Sequence, residues 1–243
     1  MCIRDSGGSG LGELFVPGSG FTLAKIKQLK KGRMGRFVGQ VPDGEPFSAG
    51  SSLFGDALPL DAALYPRKVG KKKVFNGFVV GETLFSGGGS LDSILEWVKE
   101  AGAPGLYPQG FRNGLQLRGD RLFEQGDSPL AVVLGLLGSE VRMEFKDGDL
   151  NPADPDAVLV AEVKITLQGG KLKARVENSQ LEGLTMKVSP ATGMFSGAFT
   201  HRDPAVTKPV KFKGILRRLE DPAGRGAFRG PTNAGSVKVF KAS

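Results

Sequence analysis

Alternation of apolar and polar residues is the strongest pattern in the sequence. Apolar side chains occupy every second position over Leu159–Leu167 and again over Leu172–Val176. The two runs are joined by Gly169-Gly170, and glycines tolerate the positive φ angles that a two-residue hairpin turn requires. The sequence therefore predicts an antiparallel hairpin with one apolar face and with Gln168 opposite Lys171.

A second hairpin is predicted from Leu184–Val188 and Met194–Thr200. Between them lie Pro190, which presets φ, and Gly193, which tolerates positive φ. Further strands are predicted at Phe21–Gln28, Arg36–Val41, Phe47–Leu53, Val74–Val80, Leu115–Leu117, Ala131–Leu136, Val141–Phe145, Val210–Leu216, Ala227–Gly230 and Val237–Phe240. Many short strands separated by Gly-rich turns indicate an all-β protein, an antiparallel barrel or sandwich of about 10–13 strands.

One segment has helical periodicity instead. After Ser90, a suitable N-cap, apolar residues recur at i, i+3, i+4 and i+7 from Leu91 to Val98, and Gly102 follows. This pattern predicts one short helix near 91–101.

A glycine–phenylalanine motif recurs along the chain. Gly-x-Phe-x-Gly occurs at Gly35–Gly39, Gly193–Gly197 and Gly226–Gly230, and Phe75–Gly77 and Phe212–Gly214 form a second matched pair. We expect each phenylalanine to anchor the core, with glycines that let strands bend or neighbours approach closely.

These repeats indicate an internal duplication within a single β domain, residues 21–243. The predicted half-repeats are 21–80 and 158–243, and they flank an insertion, 81–157, that carries the helix. A phosphate-binding role for the glycines is not favoured, because no helix opens after them.

The same motifs carry a resemblance that covers residues 20–240 in order. Its segments run from Asp43 to Ser48, from Pro59 to Tyr65, and over Trp97–Lys99, Tyr107–Phe111, Thr192–Gly197, Phe212–Leu216 and Gly230–Val237. Over these segments the chain resembles an uncharacterised C-terminal β domain of large exported proteins from environmental Gram-negative bacteria. Such proteins often carry immunoglobulin-like or other adhesive modules upstream. The resemblance implies export, upstream domains in the same polypeptide, and no catalysis.

The first twenty residues are expected to lie outside the domain. Met1–Ser6 resembles translated adapter sequence, and Gly7–Gly20 has the composition of a flexible linker. The natural chain is then expected to continue upstream, where a secretion signal would lie. The expected location is secreted or cell surface.

Composition excludes several kinds of site. The single cysteine, Cys2, and the single histidine, His201, rule out a disulfide scaffold, a Cys/His zinc site and a Cys–His nucleophile pair. A catalytic triad through His201 is not favoured, because the sequence has no Gly-x-Ser-x-Gly. No run of apolar residues is long enough for a transmembrane helix. We therefore expect a protein that is not an enzyme.

The net charge of +8 is unevenly distributed, because basic segments 21–73 and 158–243 flank an acidic stretch. On the polar face of the predicted strands, together with Lys238, lie Lys164, Lys171, Lys173, Arg175, Lys187, Lys211 and Lys213. This surface is a candidate for binding an acidic cell-surface polysaccharide, with a solvated outer face as the simpler interpretation. Nucleic acid is less suitable, because no aromatic residues for stacking are interleaved with the cations. The run Arg67–Lys73 is interpreted as a solvated hairpin tip.

The acidic stretch 147–156 is a candidate calcium site. Its oxygen-bearing side chains are Asp147, Asp149, Asn151, Asp154 and Asp156. Oxygen ligands at alternate positions match the start of a calcium loop. However, Pro152 and Val158 stand where an EF-hand loop requires Gly and Glu, so an acidic surface loop is the alternative. No other cofactor is predicted.

The leading functional hypothesis is a non-enzymatic extracytoplasmic β module with a structural, anchoring or adhesive role in a larger surface protein. Two alternatives stay open. One is a binding module for anionic polysaccharide, and the other is a lipocalin-like barrel for a small apolar ligand. The second requires an interior larger than its own side chains fill.

Overall fold

A computed structural model of the chain describes residues 2–5, 20–29, 32–85, 90–123, 126–151, 153–154, 156–169, 171–218 and 222–242. In these residues the strands are β1 (Cys2–Asp5), β2 (Phe21–Leu29), β3 (Gly32–Gln40), β4 (Pro46–Ser52), β5 (Ala57–Ala63), β6 (Pro66–Val69), β7 (Lys72–Phe75), β8 (Gly77–Leu84), β9 (Leu91–Lys99), β10 (Phe111–Gly119), β11 (Glu140–Asp147), β12 (Val158–Gln168), β13 (Lys171–Ser179), β14 (Thr185–Val188), β15 (Met194–Phe199), β16 (Val210–Leu216), β17 (Gly224–Arg229) and β18 (Ala234–Lys241). One helix, α1 (Pro129–Leu137), precedes β11. The all-β prediction is confirmed, with eighteen strands in the described residues, more than the 10–13 expected.

The strands form two eight-stranded antiparallel sheets and one two-stranded sheet. The order is β4-β3-β2-β1-β10-β9-β8-β5 in the first sheet and β13-β12-β11-β18-β17-β16-β15-β14 in the second. In each, the first strand along the chain pairs with the last, β1 with β10 and β11 with β18. The edge strands also lie against each other, β4 beside β5 and β13 beside β14. Each sheet therefore curls into a nearly closed up-and-down barrel.

The two barrels divide the chain differently from the predicted halves. The strands of the first barrel come from residues 2–119 and those of the second from 140–241, and each barrel has its own core. The predicted insertion 81–157 is therefore shared between the barrels. Cys2–Asp5, expected to lie outside the domain, forms β1, whereas residues 6–19 lie outside the described residues. The internal repeat stays a prediction.

The predicted hairpins are present. Gln168 pairs with Lys171, as expected, and a bulge between Glu162 and Val163 shifts the register further along. β14 and β15 form the second hairpin, with Val188 opposite Phe195. The run Arg67–Lys73 forms the tip of the β6–β7 hairpin, as expected.

The helix prediction near 91–101 is wrong, because these residues form β9. Leu91, Leu95 and Trp97 are buried on one face of this strand. Buried positions therefore alternate with more exposed ones, as in a strand, and do not follow the spacing of a helix. The helix instead lies where a strand was predicted at Ala131–Leu136. α1 packs Val133 into the second core. Within the described ranges no helix has the length and apolarity that a membrane crossing needs.

Phenylalanines at the centre of the repeated motif anchor the cores, as expected. Phe37, Phe195 and Phe228 are fully buried. Gly214 lies opposite Phe195 on the neighbouring strand, and a Cβ on Gly214 would lie 2.2 Å from the Phe195 ring. Glycine is therefore required where an aromatic ring crosses the adjacent strand.

Candidate functional site

A group of buried polar side chains lies at one end of the first barrel. Its members are Asp43, Tyr65, Trp97 and Lys99, which we call the buried polar cluster, and all four are nearly inaccessible to solvent. Asp43 lies in the loop after β3, Tyr65 follows β5, and Trp97 and Lys99 are inward-facing residues of β9. These segments meet because β3, β5 and β9 run in the same direction through the meander and end at the same side of the barrel.

Direct hydrogen bonds connect the cluster. The Tyr65 hydroxyl donates to Asp43 Oδ2 over 2.7 Å and accepts from Trp97 Nε1 over 2.9 Å. Lys99 Nζ lies 3.8 Å from Asp43 Oδ2 and 4.3 Å from the centroid of the Tyr65 ring. The same ammonium donates to two main-chain carbonyls of the β9–β10 loop.

Burial disfavours the charged forms of the ionisable side chains in this cluster. It raises the pKa of the Asp43 carboxyl, although the Tyr65 hydrogen bond and Lys99 act in the opposite direction. It lowers the pKa of Lys99 against the attraction of Asp43. It also raises the pKa of Tyr65, and the Asp43 charge acts in the same direction. Asp43 and Lys99 therefore each need the opposite charge of the other to offset the cost of burying an ion.

The second barrel contacts the same region. Arg229, at the end of β17, approaches the loop that covers Lys99, since a Cβ on Gly105 would lie 3.5 Å from both the Arg229 guanidinium and Lys99 Nζ. The Tyr107 hydroxyl accepts a hydrogen bond from Ala234 N over 3.1 Å, and Ala234 is buried in the first core. The buried polar cluster thus lies where the barrels meet, and its groups bond to one another.

The candidate calcium ligands make separate contacts in the structure, and the calcium site stays a prediction. Asp149 accepts hydrogen bonds of 2.7–3.0 Å from Thr232 and Asn233 in the β17–β18 turn. Asp156 instead lies 3.0 Å from Lys146 Nζ. Among the described residues, no three acidic, cysteine or histidine side chains lie close enough to share a metal ion. The predicted ligands are Asp147, Asp149, Asn151, Asp154 and Asp156.

Replacing Asp149 with Asn is expected to lower the free energy of unfolding at pH 7 by about 1–2 kcal/mol, because the charged acceptor is lost. Asn is chosen because Asp149 has a φ of 59°, which Asn tolerates. Burial acts to raise the pKa of Asp149, but the hydrogen bonds from Thr232 and Asn233 lower it below 3.8 overall. The native state therefore binds fewer protons than the unfolded state. The stabilisation is present above pH 3.8 and is lost as pH falls through the folded pKa.

Urea unfolding at pH 7 and at successively lower pH values below 4 measures this effect. The difference between wild type and Asp149→Asn should shrink in acid. Asp154→Asn, in the same loop, is the matched control, because its carboxylate accepts one exposed main-chain hydrogen bond of 3.2 Å. Equal changes in the free energy of unfolding for the two variants at pH 7 would contradict the role of Asp149 as a charged hydrogen-bond acceptor.

His201 is buried, and both ring nitrogens bond within the fold. Nε2 lies 3.1 Å from the Gly148 carbonyl oxygen, and Nδ1 accepts from Asp203 N over 3.0 Å. These partners require a neutral ring with its proton on Nε2. His201 therefore joins the β11–β12 loop to the loop after β15.

The seven candidate binding cations lie on the outside of the second barrel. We call them the basic wall, and they are Lys164, Lys171, Lys173, Arg175, Lys187, Lys211 and Lys213, all exposed. They occupy outward positions of β12, β13, β14 and β16, and β13 lies beside β14. The structure therefore places the cations of both predicted hairpins on one continuous surface.

Cations of the basic wall are placed close to one another. Lys164 lies directly opposite Arg175. Lys187 and Lys213 both pair with Ser196 on the strand between them, which separates their Cα atoms by roughly 10 Å, two strand spacings. The exposed acids on the same strands are Glu162 and Glu177, and Glu177 lies 3.7 Å from Arg175. Positive charge therefore dominates the wall.

A groove beside the wall is lined by charges of both signs. Its carboxylates are Glu140, Glu144, Glu162 and Glu177. Cross-strand partners place Glu140 opposite Lys164, Glu162 opposite Arg142, and Glu144 opposite Lys238. Opposite charges in such positions are ordinary stabilising pairs of an exposed sheet.

Aromatic rings fill the interior of the second barrel. The buried rings are Phe145, Phe195, Phe199, Phe212 and Phe228, with centroids of contacting pairs 5.3–6.4 Å apart. A barrel filled in this way does not favour the lipocalin-like alternative, which needs an interior wider than its side chains.

The sequence did not predict the buried polar cluster. Its signal was present: if Leu91–Lys99 is taken as a strand, Lys99 falls on the same face as Leu95 and Trp97. A lysine on a buried face requires a partner. Because a helix was predicted for this segment, the position of Lys99 on a buried face was not recognised.

These features define an all-β protein of two up-and-down barrels, with a basic outer wall and a buried polar contact between the barrels. Compared with protein-family models, curated proteins and solved structures, the chain has no match.

Proposed function

We propose that this protein is a non-enzymatic, extracytoplasmic adhesive module whose basic wall binds an acidic cell-surface polysaccharide. The observation that carries the proposal is the density of cations on four strands, where seven exposed cations accompany two exposed acids. Lys164 faces Arg175, and like charges directly opposite each other destabilise a sheet, although Glu140 and Glu177 offset part of this repulsion. A bound polyanion relieves this repulsion.

The context of the chain supports an adhesive role. The second barrel is filled by its own side chains, which leaves the outer surface for binding. The resemblance to C-terminal β domains of exported proteins supports a place in a larger secreted or surface protein. Its upstream domains are then partners within the same polypeptide.

The wall variant Lys164→Gln, Lys173→Gln, Lys187→Gln and Lys213→Gln is expected to bind polygalacturonate about 30-fold more weakly than wild type. This estimate takes roughly 0.5 kcal/mol for each exposed charge contact. Calorimetric titration at low and high salt measures the affinity, which should fall with salt for wild type because exposed charges are screened.

The matched control removes four charges from the β6–β7 hairpin, in the variant Lys68→Gln, Lys71→Gln, Lys72→Gln and Lys73→Gln. It should bind polygalacturonate within about threefold of wild type, since screening limits the effect of distant charges. Equal losses in the two variants would show that net charge, and not the wall, determines binding. Binding by wild type that is absent or insensitive to salt would contradict the proposal.

A further inference from the structure

The β6–β7 hairpin has both faces in solvent. All eight of its strand residues are exposed, and they form a separate two-stranded sheet. Its base is anchored, because Asn76 N donates to Tyr65 O over 3.2 Å and Leu64 N donates to Gly77 O over 2.8 Å. The Tyr65 side chain is itself held in the buried polar cluster. We call Pro66–Phe75 the arm.

The arm combines dense positive charge with exposed apolar side chains. Its cations are Arg67, Lys68, Lys71, Lys72 and Lys73, and its ten residues include no acid. Val69, Val74 and Phe75 are 51%, 39% and 41% exposed, and Lys73 Nζ lies 5.0 Å from the Phe75 ring centroid. The ribbon has no core-facing side, so these apolar groups gain little from folding.

We infer that the arm is a docking site for an anionic lipid surface. Anionic headgroups attract clusters of Lys and Arg, and the boundary between headgroups and acyl chains accepts valine and phenylalanine side chains. A polysaccharide or a nucleic-acid duplex complements the cations but leaves the valines in water. The inference is independent of the proposed polysaccharide binding, because the basic wall belongs to the other barrel.

The test measures partition of the full chain onto sucrose-loaded vesicles of one-third phosphatidylglycerol in phosphatidylcholine. Each cation near an anionic surface contributes about fivefold to the partition coefficient. The arm charge variant Lys68→Gln, Lys71→Gln, Lys72→Gln and Lys73→Gln should therefore partition roughly 600-fold less than wild type. The wall variant, with as many charges removed, is the matched control and should partition within about threefold of wild type.

A second variant, Val69→Ser with Phe75→Ser, tests how much the apolar side chains contribute to vesicle binding. It should still bind anionic vesicles at low salt and lose binding at high salt, where wild type retains part of its binding through apolar contact. Circular dichroism should show both variants folded, because every substituted side chain is exposed. If a multiple variant fails to fold, Lys71→Gln and Lys72→Gln measured singly give the effect of each charge.

Several outcomes would overturn the inference. One is equal partition of wild type and the arm charge variant. Another is equal binding of wild type to pure phosphatidylcholine vesicles. A third is loss of polygalacturonate or duplex DNA binding by the arm charge variant with unchanged vesicle binding, which would assign the arm to a polyanion.

Discussion

Replacing Asp43 with Ala is expected to lower the free energy of unfolding by about 3–5 kcal/mol. The substitution leaves the Lys99 ammonium, fully buried and 3.8 Å from the carboxylate, without its counter-ion. It also removes the acceptor of the 2.7 Å hydrogen bond from the Tyr65 hydroxyl. Guanidinium unfolding of the full chain, followed by tryptophan fluorescence, measures the loss, because Trp97 is the only tryptophan and donates to Tyr65.

A double variant separates charge burial from packing. Asp43→Leu with Lys99→Met removes both ions, and buried pairs replaced by apolar residues often lose little stability. We therefore expect the double variant to be more stable than Asp43→Ala. Asp61→Ala, an exposed carboxylate of β5, should change stability by no more than about 0.5 kcal/mol. An Asp43→Ala variant as stable as Asp61→Ala would refute this account of the cluster.

Gly214→Ala is expected to destabilise the second barrel by about 3 kcal/mol or more. The added Cβ would lie 2.2 Å from the Phe195 ring and 2.4 Å from the Arg225 carbonyl oxygen. The oxygen belongs to the backbone of a paired strand, so relief requires the sheet itself to shift. Denaturant unfolding gives the change in free energy.

Gly135→Ala provides the matched control. A Cβ on Gly135, in α1, would meet no atom within 4 Å. Alanine also has a higher helix propensity, so this variant should gain about 0.5–1 kcal/mol. Changes of opposite sign in the free energy of unfolding for the two Gly→Ala variants would support the close approach of the Phe195 ring as the reason for a glycine at position 214. Equal signs would contradict it.

Most strands could be predicted from the sequence because one buried face imposes a period of two. β9 shows where this reasoning fails. Its inward positions include Ser93, whose hydroxyl accepts from Leu84 N over 3.0 Å, and Lys99, which bonds to carbonyls. Its outward positions include Ile94, which is 73% exposed. Polar residues inside and an apolar residue outside produced a helical pattern by coincidence.

The basic wall was predictable because strand parity alone determines which side chains face outward. The acidic loop was not, because the partners of Asp149 come from a turn 83 residues away. Asp43 and Tyr65 also belong to distant segments that only the barrel brings together. Contacts between loops depend on tertiary arrangement, which local patterns do not contain.

The pairing of β11 with β18 has a consequence for folding kinetics. Phe145 lies opposite Val237, so residues almost a hundred positions apart must meet before the ring is complete. Closure between such distant segments is slow, because chain entropy is lost before the contact forms. During synthesis β11 keeps an unpaired edge until β18 has left the ribosome. In that interval the nascent barrel is most vulnerable to aggregation through strand addition.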